Sequence, residues 1–280
     1  YISEYLNWKA SYAPSSFKRY GVVLKKLNTV KKFETINDVV EFRNKLDGKY
    51  SPTYINYSMT IVRDFVGYCW SQRYTDLSPK LIKPPRFTPK RRVVPTAEEI
   101  NKLVNVWNPE KFTELRNRVI ILILKDSGMR LSELVRMKIS DIADTTSIIQ
   151  TSKGFREDVV MWSEETNREL LKYLGSRICI SNGDNVWCSV ANTIKISGRQ
   201  VERIFAESCI KAGITKKITP HTMRHYKAHS MINLNANVKE VQIALRHSET
   251  NPRAAFQYLK LDKTETKRIQ ILQGNPIDNS

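Results

Sequence analysis

Cysteine is scarce in this 280-residue chain: Cys69, Cys179, Cys188 and Cys209 are scattered, with no CxxC pair. That argues against a disulfide scaffold and a paired-thiolate zinc site, and fits free thiols in a reducing cytoplasmic interior. Long apolar runs are also missing. The longest, Val119 to Leu124, covers six residues, far short of the roughly 20 that a spanning helix needs. No signal peptide is legible, and the chain opens on Tyr1 rather than Met, as a trimmed chain would. Acidic residues are outnumbered, 28 Asp and Glu against 46 Lys and Arg, for a net charge of +18. An excess of that size exceeds what surface solvation needs and points to a polyanionic partner, nucleic acid ahead of an acidic membrane surface. Neither HExxH nor GxSxG occurs, so the common local signatures of zinc peptidases and serine hydrolases are absent.

What is there begins with a basic, helix-patterned first third. Residues 1–95 hold 18 basic and 7 acidic residues, a net of +11, and the remaining 185 carry +7. Relative to length, the first third should carry more of the phosphate contact. Tyr5, Trp8 and Tyr12 predict one helix, and Phe17, Tyr20, Val23, Leu24 and Leu27 a second. Ile36, Val39, Val40, Phe42 and Leu46 predict a third. A fourth starts at Ser51-Pro52, an N-cap followed by N1, and runs through Ile55, Met59, Val62, Phe65, Val66, Cys69 and Trp70. The aromatics along these stripes are expected to pack between helices.

Composition then breaks. Lys83-Pro84-Pro85-Arg86-Phe87-Thr88-Pro89-Lys90-Arg91-Arg92 holds three prolines and five basic residues, which reads as an extended connector and a domain boundary. Lys83, Arg86, Lys90, Arg91 and Arg92 are candidate phosphate contacts. Beyond it, Thr96 and Glu99 form a capping box. A buried helix covers about Glu114 to Asp126, and a shorter one Leu131 to Met137. Ile148-Ile149 and Val159-Val160-Met161 flank Ser152-Lys153-Gly154, a β-hairpin with Lys153 at its tip.

Four local patterns hold polar groups suited to chemistry. Ser127-Gly128-Met129-Arg130 is a glycine turn that sets Arg130 at a helix start, with Glu133 one turn on to hold it. Thr219-Pro220-His221-Thr222-Met223-Arg224 places a proton-transfer group and a fixed cation at i and i+3 behind a cap. Leu245-Arg246-His247-Ser248 precedes Tyr258, the last tyrosine. Lys153 is the fourth. All four histidines, 221, 225, 229 and 247, fall within 27 residues. His221, His225 and His229 share a face that suits zinc, but the surrounding basic residues would repel a dication. His225 and His229 are therefore expected to pack or hydrogen-bond within the helix, and no metal or cofactor is expected.

Together these patterns resemble the tyrosine recombinases, the phage-type integrases and Xer-type resolvases, over nearly the whole chain. Ser127 to Ile142 is similar to the family's first arginine box, Lys153-Gly154 with Val159-Val160 to its hairpin lysine, and His221-Thr222-Met223-Arg224 to its His-x-x-Arg box. Leu245-Arg246-His247-Ser248 resembles its Leu-Gly-His-Ser turn, and Tyr258-Leu259-Lys260-Leu261-Asp262 its nucleophile segment. The resemblance implies a mainly α fold with a small antiparallel sheet. It implies a helical core-binding domain over 1–83, a linker over 84–95 and an α+β catalytic domain over 96–280, forming a clamp around DNA. It also implies strand cleavage by Tyr258 through a 3′-phosphotyrosine, served by Arg130, Lys153, His221, Arg224 and His247 without metal or ATP.

Further implications are a specific duplex site, a monomer that forms a tetramer on DNA through Holliday junctions, a tail from Thr264 to Ser280 packed on a neighbour, and a place in the nucleoid. Three departures stand out. Arg246 occupies a glycine position, and Asp158 a position where arginine is common. The eleven-position stretch from His247 to Tyr258 exceeds the family's spacing. An insertion around Asn251-Pro252 restores register; without it, Phe256 would stand at the nucleophile's place. The rival readings are a type IB topoisomerase or telomere resolvase, a DNA-binding regulator with a degenerate catalytic domain, and a zinc-dependent nuclease.

Overall fold

The computed structural model describes residues 1–27, 35–86, 94–151, 157–177, 184–188 and 195–246. The chain divides into two compact units, Tyr1–Arg91 and Arg92–Ser280.

In the first unit, α1 (Ile2–Tyr12), α2 (Pro14–Leu27), α3 (Ile36–Leu46) and α4 (Pro52–Ser71) enclose one apolar core. Ser51 caps α4 as its side chain accepts from the Tyr54 amide at 3.3 Å, and Pro52 takes N1, where a missing N–H costs nothing. Tyr5 is fully buried and donates its hydroxyl to Asp64 at 2.8 Å, beside the Lys9–Asp64 ion pair. Phe42, Phe65 and Cys69 are buried as the stripes predict, and burial pushes the Cys69 thiol up to about 11, keeping it protonated and inert. Three expectations fail, the first at Ile36, which is exposed at the start of α3. Trp70 and Val40 face solvent, because each stands one residue, or about 100° of helix, past its buried neighbour. Trp8 is partly exposed but still packs its ring on Tyr68.

The second unit is built around α6 (Phe112–Ser127), in which every residue from Val119 to Leu124 is buried. A helix apolar on all sides needs cover on all sides. It gets this from α5 (Ala97–Asn105), α8 (Glu164–Gly175), α9 (Gly198–Lys211) and α10 (Pro220–Asn233). The Thr96–Glu99 capping box forms as expected at the start of α5. A short α7 (Leu131–Arg136) leads to β1 (Ile142–Ala143), β2 (Thr146–Gln150) and β3 (Glu157–Met161), an antiparallel sheet in the order β1-β2-β3. β2 and β3 pair from Thr146↔Met161 to Gln150↔Glu157, so Ile149 and Val160 point to the core while Ile148, Val159 and Met161 face outward. This is the expected hairpin. Its tip, with Lys153, lies outside the described residues. The last described helix, α11 (Val238–Ala244), packs on α10 through Val241, Leu245, Ala228 and Ile232. No described helix is long and apolar enough to cross a membrane.

Candidate active site

Three segments of the second unit converge: the turn after α6, the start of α10, and the turn after α11. The first depends on Gly128, the C-cap of α6, whose φ of 56° lies in the left-handed region that suits glycine. A Cβ there would also lie 2.8 Å from Leu245 Cδ2 and 3.0 Å from Lys227 Cγ, so the site is closed to side chains by packing as well as by torsion. Reversing the chain here sets Arg130 at the N-cap of α7.

Glu133 then holds Arg130 at two atoms. The Arg130 amide donates to Glu133 Oε2 at 2.7 Å, and its Nη1 donates to Oε1 at 2.7 Å. Glu133 has no exposed side-chain surface, whereas Arg130 keeps about a third of its own. Burial drives the Glu133 carboxyl upward, yet the Arg130 amide and guanidinium and the charge of Arg246 outweigh it, leaving Glu133 below the ordinary carboxylate value. It is therefore an anion at neutral pH.

On α10, Thr219 caps the helix by accepting from the Thr222 amide, and Pro220 takes the first position. Arg224 is almost fully buried. Its Nη1 donates to the Gly128 carbonyl at 2.8 Å and its Nη2 to the Leu245 carbonyl. Arg130 Nη2 donates to the next carbonyl, that of Arg246, at 3.1 Å. Both guanidinium groups are thus anchored to consecutive peptides of the turn that leads into position 247. His221 is exposed at the mouth, its ring edge-on to buried His225 at 4.4 Å between centroids.

Arg130, His221 and Arg224 line one cleft of about 770 Å³, with Met129, Leu131, Thr219 and Pro220. Three of the four local patterns are represented around it by Arg130, by His221 with Arg224, and by the Leu245-Arg246 carbonyls. Two guanidinium groups, those of Arg130 and Arg246, meet one buried carboxylate, and Arg224 adds a third cation to the same region, so the cleft favours an anion, and forked N–H donors suit the non-bridging oxygens of a phosphate. Among the described residues, no group of three His, Cys, Asp or Glu is arranged to hold a metal ion.

Not every predicted residue falls here. Lys153, His247 and Tyr258 lie outside the described residues, as do Lys90, Arg91 and Arg92 and the tail from Thr264 to Ser280. Lys83 and Arg86 are exposed in the first unit. Arg246, in the sequence only a departure from glycine, belongs to the site. Its φ is 51°, a conformation costing a side-chain-bearing residue roughly 1–2 kcal/mol. Yet its guanidinium is buried, 3.4 Å from Glu133 Oε2. The signal in the sequence was that very exchange: a charge where the turn wants glycine.

The phage integrase family matches residues 94–265 of this chain. The tyrosine recombinase XerA of Pyrococcus furiosus is 30% identical over 247 residues, which cover 86% of this chain and 82% of that protein. Among solved structures, the XerH recombinase bound to palindromic difH in a post-cleavage complex superposes with a TM-score of 0.77 at 17% identity, over 97% of this chain and 84% of that one. A lambda integrase tetramer bound to a Holliday junction gives 0.72 at 18% identity, over 89% and 76%. At such identities the likeness of structure speaks for the fold, while the family match and XerA speak for descent. This chain belongs to the phage integrase family, the tyrosine recombinases.

Proposed function

We propose that this protein is a site-specific DNA recombinase that cuts and rejoins duplex strands through Tyr258, without metal or ATP. One observation carries the reading. Arg130, Arg224 and His221 meet in one cleft, and the two guanidinium groups rest on the carbonyls immediately before His247.

The phenol oxygen of Tyr258 attacks the scissile phosphorus in line, and the bond to the 5′-oxygen breaks, leaving a 3′-phosphotyrosine and a free 5′-hydroxyl. His221 takes the phenol proton, and Lys153 gives one to the leaving oxygen, which would otherwise depart as a poor alkoxide. Arg130 and Arg224 neutralise the non-bridging oxygens as charge builds, and His247 donates to the same group. Loss of one such donor costs on the order of 3–4 kcal/mol of transition-state stabilisation. Glu133 orients Arg130. Because the bond energy stays in the covalent link, a 5′-hydroxyl from another strand can reverse the step and exchange partners.

Lys83, Arg86, Lys90, Arg91 and Arg92 belong, in this reading, to the phosphate contacts of a clamp made by a core-binding domain (1–83), a linker (84–95) and a catalytic domain (96–280). Exchange between two duplexes through a Holliday junction requires four active protomers, so a monomer assembles as a tetramer on its site within the nucleoid. A nicked suicide duplex tests the chemistry. The native protein forms a covalent DNA adduct, and Tyr258→Phe binds the same duplex without forming one. An adduct with that variant would remove Tyr258 from the mechanism.

A further inference from the structure

Arg246 is a costly residue for its place. It holds a left-handed backbone, its side chain is only 4% exposed, and its Nε has no hydrogen-bond partner among the described residues. Such an arrangement persists where something else depends on it. What surrounds it is specific. Nη2 stands 3.4 Å from Glu133 Oε2, and Nη1 donates to the Ala244 carbonyl at 3.0 Å, closing the turn on itself. The Arg246 carbonyl accepts from Arg130 Nη2. Arg130 is therefore held at two points, Glu133 and the 246 carbonyl, and Arg246 touches both.

We infer that Arg246 is a positioning residue for Arg130: it locks the Glu133 carboxylate from behind and holds its own carbonyl where the Arg130 guanidinium needs it. The proposal rests on the phosphate-binding role given above to Arg130. Without the Arg246 guanidinium, Glu133 would meet only Arg130, and the backbone carrying the second anchor would lose its tether to Ala244. Arg130 would then sample positions off the phosphate. The charged groups acting on Arg246 are Glu133 and Arg130, and Asp158 on β3, which adds a second negative charge. Those acting on Glu133 are Arg130 and Arg246. Removing one of the two cations lets Glu133 take up a proton at a higher pH, and a protonated Glu133 no longer fixes Arg130.

Arg246→Gly is the direct variant, since glycine accepts the left-handed backbone without strain. It is assayed in the full-length chain by single-turnover cleavage of a nicked suicide duplex bearing the target site located by footprinting genomic fragments. Cleavage should slow on the order of ten- to a hundredfold, as a displaced catalytic group would cause. Duplex affinity should stay native, and the acid limb of the pH–rate profile should move to higher pH. Arg246→Lys, which restores the charge, should return that limb toward its native place. Native cleavage with a native acid limb in Arg246→Gly would overturn the proposal. So would a slowing matched by a fall in thermal midpoint in both variants, which would mark a purely structural residue. Arg130→Ala, run alongside, separates the layers. If it cleaves normally, the reading of the site itself fails. If it is dead while Arg246→Gly is native, only the role of Arg246 fails.

Discussion

Two left-handed turns meet at the cleft, and they solve the same backbone problem in opposite ways. At 128, φ is 56° and the residue is glycine, and Leu245 and Lys227 leave no room for a side chain. At 246, φ is 51° and the residue is arginine, with a guanidinium buried on Glu133. The first turn is governed by sterics: it brings the α6 end close to α10 and α11 and offers its carbonyl to Arg224. The second accepts strain in exchange for charge. Position 128 should therefore answer to volume, and the network reached through 246 should answer to charge.

The largest effect is expected where the two turns share a tether. Arg224 bonds the carbonyls of Gly128 and of Leu245, so Arg224→Ala should lower the cleavage rate on the order of a hundred- to a thousandfold with little loss of duplex binding. A large loss of binding instead would make Arg224 a phosphate anchor. Lysine should not rescue it, because a point charge cannot bridge two carbonyls as a planar fork does.

Next comes the charge on Glu133. Glu133→Gln leaves Arg246 buried without its counter-ion and should cost about 3 kcal/mol of stability at pH 7, read from chemical denaturation. The folded carboxyl lies below its unfolded value. Its stabilisation is thus complete above the ordinary carboxylate range and fades as the pH falls through the folded value. The native protein and the variant should converge in stability on acidification. A gap that stays constant as the pH is lowered from neutrality through the carboxylate range would mean that the carboxylate charge is not the stabilising feature.

The smallest effect tests the steric turn. Gly128→Ala adds a methyl 2.8 Å from Leu245 and forces a left-handed alanine, which should cost about 2 kcal/mol in denaturant at every pH. If that loss varied with pH as the Glu133 loss does, the distinction between the two turns would collapse.

The sequence disclosed most of what is local. Ser51-Pro52 and Thr96 with Glu99 announce their helices, Ile149 and Val160 alternate as a hairpin should, and the Arg130–Glu133 pair follows from a spacing of three. Trp70 misled because a stripe counted by eye includes its neighbour a third of a turn away. The long-range part of the site was not legible. Arg224 closes on the backbone of Gly128, 96 positions back, and Arg130 on the backbone of Arg246, 116 positions ahead. A backbone carbonyl carries no residue identity, so such a bond leaves no mark on the sequence. Only the charge at 246 did, and as an oddity rather than as a partner for Glu133.

The most direct test of the site as a whole is to digest the covalent adduct formed on a nicked suicide duplex and identify the nucleotide-bearing peptide by mass spectrometry. The account predicts that the modified residue is Tyr258, in a peptide ending at Lys260. An adduct on any other residue would contradict it, as would no adduct from a protein that binds and recombines the duplex.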